Sequence, residues 1–120
     1  MTLKAYQRAQ GVAESPRAME RRLLALVTGR LATARDQGWT GAALIDVLHH
    51  NREMWQTFAA LCATPGNGLP DDLRAGIMSL ALWVDRHSSA VATGRETLDA
   101  LIDVNRMVGE GLGADVAEAA

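Results

Sequence analysis

The sequence predicts an all-α protein, a compact bundle of about four amphipathic helices with a flexible N-terminal arm and a frayed C-terminal tail. Three observations carry that expectation. Alanine (21) and leucine (15) supply 36 of the 120 residues, whereas valine, isoleucine and threonine together supply 19. Alanine and leucine lose little side-chain entropy in a helix, so the balance favours helices over strands. No stretch alternates apolar and polar residues with period two between turn residues. Apolar residues recur instead at helical spacings, between clusters of glycine and proline. The length suits one domain, 1–120, with an ordered core over about 15–112.

Residues 1–14 pattern only weakly as a helix and read as the arm. Ser15-Pro16 opens the first helix, since proline suits a position whose N–H has no helical partner. Its stripe is Met19, Leu23, Leu26, Val27, Leu31 and Ala34, and Gly38 stops it after Gln37. Arg17, Arg21, Arg22, Arg30 and Arg35 decorate it. After the loop Gly38-Trp39-Thr40-Gly41, a second helix carries Leu44, Leu48, Asn51, Trp55, Phe58 and Cys62 on one face. Thr64-Pro65-Gly66-Asn67-Gly68 ends it. Leu69-Pro70-Asp71-Asp72 starts the third helix, with two carboxylates where the helix dipole favours them. Its stripe is Leu73, Ile77, Leu80, Val84, His87 and Val91, with Trp83 alongside. Thr93-Gly94-Arg95-Glu96 has the capping-box spacing and marks a new start or a kink. The fourth helix aligns Leu98, Leu101, Ile102, Asn105 and Val108. Gly109, Gly111 and Gly113 weaken it, and residues 114–120 form the tail.

Charge and cysteine content narrow the function. Twelve basic and 14 acidic side chains leave a net charge of −2. That balance argues against direct nucleic-acid binding and against a membrane-surface patch, which draw on a basic excess. The charge is nevertheless uneven: residues 1–60 carry 8 basic and 5 acidic groups, residues 61–120 carry 4 and 9. A basic N-terminal face could therefore meet an acidic partner segment or the acidic second half of the chain itself. One cysteine, Cys62, allows no intrachain disulfide. No apolar run approaches the roughly 20 residues that span a bilayer. The first six residues lack the apolar core of a signal peptide, so the expected location is cytoplasmic.

The sequence offers no catalytic, cofactor or metal constellation, and the expectation is that the chain is not an enzyme. His49 and Glu53 share a helix face at i, i+4 but lack further ligands nearby. Cys62 and His87 could in principle pair as nucleophile and base, yet Cys62 lies on an apolar stripe, where a thiol packs as a small hydrophobe. Asn51, His87 and Asn105 fall on apolar stripes. They are expected to form a polar core that fixes helix register, or else to line a groove. Trp55, Phe58 and Trp83 are core or groove aromatics.

Several of these residues also carry a family resemblance. Ala5-Tyr6-Gln7-Arg8, Glu14-Ser15-Pro16-Arg17 and Glu20-Arg21-Arg22-Leu23-Leu24 are similar to the start of the FlaF family of flagellar biosynthesis regulators. Leu48 and Asn51 leading to Trp55 and Phe58 resemble its central segment. Leu69-Pro70, Leu73-Arg74, Ser79-Leu80-Ala81, Trp83-Val84 and His87 follow in order, and Gly94, Leu98, Leu101-Ile102, Asn105 and Gly111-Leu112 match its end. The His49-His50 pair and the Trp39 loop have no counterpart. The resemblance implies a small cytoplasmic protein of alphaproteobacterial flagellar systems, without catalytic residues or cofactors. It implies flagellin as partner, bound as by a secretion chaperone, and coupling to flagellin synthesis. The alternative it allows is post-transcriptional control of flagellin translation, acting through FlbT or the flagellin message. From the residues themselves, the candidate anchors for docking such a partner are Tyr6, Arg8, Arg17, Arg21 and Trp39.

Overall fold

The computed structural model describes residues 16–66 and 68–119, with side chains described for 18–66 and 68–111. Among the described residues four helices follow one another: α1 (Pro16–Gln37), α2 (Gly41–Ala63), α3 (Asp71–Ala92) and α4 (Asp99–Ala119). No strand occurs among the described residues. The arm, expected over 1–14, lies outside them. The backbone of α4 runs helically through Gly109, Gly111 and Gly113 to Ala119, so the expected tail forms its last turns.

Local chemistry sets the ends of these helices. Gly38 at φ +63° closes α1, a left-handed conformation that costs an L side chain about 1–2 kcal/mol. The two hydrogen bonds of a Schellman cap form there, Gly38 N to Arg35 O (3.2 Å) and Trp39 N to Ala34 O (2.9 Å). Gly94 at φ +77° ends α3 in the same way, with Gly94 N donating to Val91 O (3.0 Å) and Arg95 N to Ala90 O (2.9 Å). Thr93-Gly94-Arg95-Glu96 is therefore a helix end, and the expected capping box does not form. The Thr93 hydroxyl donates back to Ser89 O (3.0 Å), and α4 begins at Asp99, six residues after Thr93. There the Thr97 hydroxyl donates to Asp99 Oδ2 (3.2 Å).

The packing is unequal. α1 lies most extensively against α4 and α2 against α3; α1 and α2 share a smaller seam, and α3 barely touches α4. α1 and α4 run antiparallel, since Arg35 near the end of α1 reaches Asp99 at the start of α4 (3.1 Å). They also approach closely, for a Cβ on Gly109 would lie 3.4 Å from Leu24 Cδ2. Arg52 joins α2 to α3, donating to Asp85 O (2.7 Å) and to the Ser89 hydroxyl. The core holds Leu24, Leu31, Val47, Trp55, Val84, Leu101 and Ile102, each almost fully buried. Burying a leucine- or isoleucine-sized side chain contributes roughly 1.5–3 kcal/mol.

The α1 stripe differs from the expectation. Leu24, Val27, Leu31 and Ala34 face the core, joined by Thr28, whereas Met19, Leu23 and Leu26 remain 46%, 42% and 65% exposed. Leu23-Leu24-Ala25-Leu26-Val27 is apolar on more than one face of a helix, so its periodicity admits two phases. Packing against α4 selects the phase that contains Leu24.

Candidate partner-binding groove

The exposed residues of α1 meet α2 in an open groove. At one end of the α1–α2 seam, Arg30 donates to His50 Nδ1 (2.7 Å) and to Asp46 Oδ2 (3.2 Å). A guanidinium can only donate, so Nδ1 of His50 is the acceptor. One turn earlier on α1 the polar bridge stops at Leu26. Met19, Leu23 and Leu26 from α1 and Thr57, Phe58 and Leu61 from α2 then line an apolar groove of about 710 Å³, with Glu20 and Arg22 beside them. Met19, Leu23 and Leu26 stand at i, i+4 and i+7, one face of α1 over two turns. Met19 adds an adaptable side chain to the wall.

The structure places the candidate partner residues elsewhere. Tyr6 and Arg8 lie outside the described residues, as does the side chain of Arg17. Arg21 is exposed on α1 and does not line the groove. Trp39 is half-buried in the α1–α2 turn, packs on the core and donates its indole N–H to Gln37 Oε1 (3.1 Å). The groove residues Met19, Leu23 and Leu26 belong to the stripe expected to be buried, and Leu61 lies on no expected stripe. The available signal was the breadth of the apolar run 23–27, too wide for one buried face.

Of the three polar residues on apolar stripes, two come together. Asn51 and Asn105 are 0% and 1% exposed. The Trp55 indole N–H donates to Asn105 Oδ1 (2.8 Å), which assigns the amide, so Asn105 Nδ2 donates to Asn51 Oδ1 (2.8 Å). This relay links α4 to α2 across the bundle. His87 does not join it: its ring stacks on Trp83 at 4.6 Å and 20°. Its place on the α3 stripe is shared with Ser88, which is fully buried, because the buried face drifts around the helix as 3.6 residues per turn accumulate. Trp55 and Phe58 pack edge to face at 6.2 Å, and the Phe58 ring forms part of the groove wall.

Nucleophilic and metal-ligating side chains do not converge among the described residues. His49 pairs with Glu53 at 2.8 Å, Cys62 is a buried thiol of the core, and no group of three or more His, Cys, Asp or Glu could hold a metal ion among the described residues. Hydrogen bonds from Arg35 to Asp36 and then to Asp99 raise its pKa above the ordinary arginine value. No described helix is long and apolar enough to cross a membrane.

Fold and groove define a small all-α bundle whose first helical hairpin leaves an apolar seam open to solvent. The chain belongs to the FlaF family: the family model for flagellar protein FlaF matches residues 2–112. No curated protein and no solved structure gives a match.

Proposed function

We propose that this flagellar protein is a cytoplasmic secretion chaperone that binds newly made flagellin and couples its export to its synthesis. The observation that carries the reading is the α1–α2 groove, an apolar surface open to solvent. Contiguous exposed apolar patches on a soluble domain mark interaction sites. A subunit that stays unassembled until export has amphipathic segments with nothing to pack on. A helical hairpin can shield one such segment by the helix-in-groove mode. The ordering entropy of that segment must be offset by apolar burial, which Met19, Leu23, Leu26, Phe58 and Leu61 offer.

The test is light-scattering chromatography of the chain with and without monomeric flagellin from the same organism. A defined complex, 1:1 in the simplest case, is the expected result. Absence of a complex at tens of micromolar sinks the reading and moves attention to FlbT and the flagellin message as partners.

A further inference from the structure

We infer that the α1–α2 groove takes one amphipathic helix with acidic flanks. This deepens the chaperone reading by naming the chemistry of the segment that the groove selects, and rests on it for the identity of the natural partner.

Area argues for a slender occupant. Met19, Leu23, Leu26 and Leu61 are each 40–65% exposed, a patch on the order of 400 Å². That is about half of the roughly 800 Å² per partner that a stable dimer interface takes, and a single helix covers it with one face of two to three turns. Shape agrees. The groove is a seam between antiparallel helices and is open to solvent along its length, while Arg30, Asp46 and His50 bridge the same two helices further along. A small-molecule site encloses most of its ligand; this one does not.

Charge argues for the sign of the flanks. Residues 16–63, which form α1, α2 and their turn, carry 6 arginines against 4 carboxylates, whereas residues 64–119 carry 4 against 9. On the α1–α2 side Asp36 pairs with Arg35, Asp46 with Arg30 and Glu53 with His49. Arg22 and Glu20 both stand at the groove itself, so the sign comes from the α1–α2 half as a whole. The bundle is thus electrically polar, with its open apolar seam on the positive side, and such a field draws and orients an acidic partner. A second copy docked groove to groove would set two positive sides face to face.

Two designed 18-residue helical peptides supply the test. Both carry the same leucine face; one has glutamates on the polar flanks, the other lysines. Fluorescence anisotropy against the full chain is expected to show the glutamate peptide binding about tenfold or more tighter, with the preference shrinking as salt is raised. Leu26→Asp, at an exposed position, is expected to weaken the glutamate peptide by about tenfold or more while thermal unfolding stays unchanged. Leu82→Asp on α3, equally exposed at 67%, is the control and is expected to bind as the parent does. Arg22→Glu is expected to narrow the preference between the peptides. Equal affinity for the two peptides, or an undisturbed Leu26→Asp, overturns the inference. So does a dimer of the chain that Leu26→Asp dissolves, since a second copy would then own the groove. Flagellin that binds Leu26→Asp as tightly as the parent overturns the groove assignment and leaves the chaperone reading standing. The expected peptide pattern without any flagellin complex does the reverse.

Discussion

Single residues decide two separate things here, the register of the core and the openness of the surface. Trp55 can only donate, so it fixes which end of the Asn105 amide faces it, and Asn105 in turn fixes Asn51. Breaking the relay leaves buried polar atoms without partners, at about 1–3 kcal/mol each. Asn105→Leu is expected to lower unfolding stability by about 2–4 kcal/mol in a denaturant titration. Trp55→Phe, which removes the indole donor and also shrinks a fully buried side chain, is expected to cost about 2–4 kcal/mol. Asn51→Ala combined with Asn105→Ala should cost less than the two changes added, because they share one hydrogen bond; strict additivity would show the relay to be energetically idle. The polar residues were legible in the sequence as exceptions on apolar stripes. Which of them meet was not, because that depends on how α4 crosses α2, and His87 proved to belong with Trp83.

At the scale of the element, the stops were the most legible feature. Pro16, Gly38, Thr64-Pro65-Gly66 and Pro70-Asp71 act through local backbone chemistry, and each lies at a helix boundary. The face of α1 was not legible, since Leu23 and Leu24 are equally apolar and only the partner helix chooses between them. The break after α3 was visible, but its apparent threonine cap was misread, because a glycine at positive φ overrides a capping pattern that contains it. Glycine chemistry gives opposite predictions at two sites with equally open surroundings. Gly38→Ala forces an L residue to positive φ and is expected to destabilise by about 1 kcal/mol. Gly76→Ala, inside α3, is expected to stabilise by about 0.5–1 kcal/mol. Melting temperatures of the two variants should move apart, and movement in the same direction would contradict the assigned backbone.

Over the whole molecule, stability and recognition occupy different surfaces. The residues that hold the bundle together, such as Leu31, Leu101 and Ile102, are wholly buried, while Leu26 and Leu23 contribute to a surface that nothing in the described chain fills. The candidate site was legible only in outline. The sequence showed a basic first half and surplus apolar residues on its first helix, but the groove also needs Thr57, Phe58 and Leu61 of α2, which only the packing of the two helices brings to it. A binding-defective yet fully stable Leu26→Asp is the expected sign of that separation. In flagellin binding measured by chromatography, this variant should fail at concentrations where Leu82→Asp still forms a complex.

The pairing of α1 with α4 has a consequence for how the protein is made. Among the described helices, α1 finds its largest partner in α4, the one translated last of the four. The α2–α3 hairpin closes a short loop and can form while the rest of the chain is still on the ribosome. Leu24 and Leu31, in contrast, have no covering surface from α4 until residues 99–111 have emerged. Until that moment both faces of α1 are uncovered, the one destined for the core and the one that lines the groove. Folding of the bundle therefore completes only after α4 has been made, and a chain released before α4 would carry a first helix that is sticky on two sides.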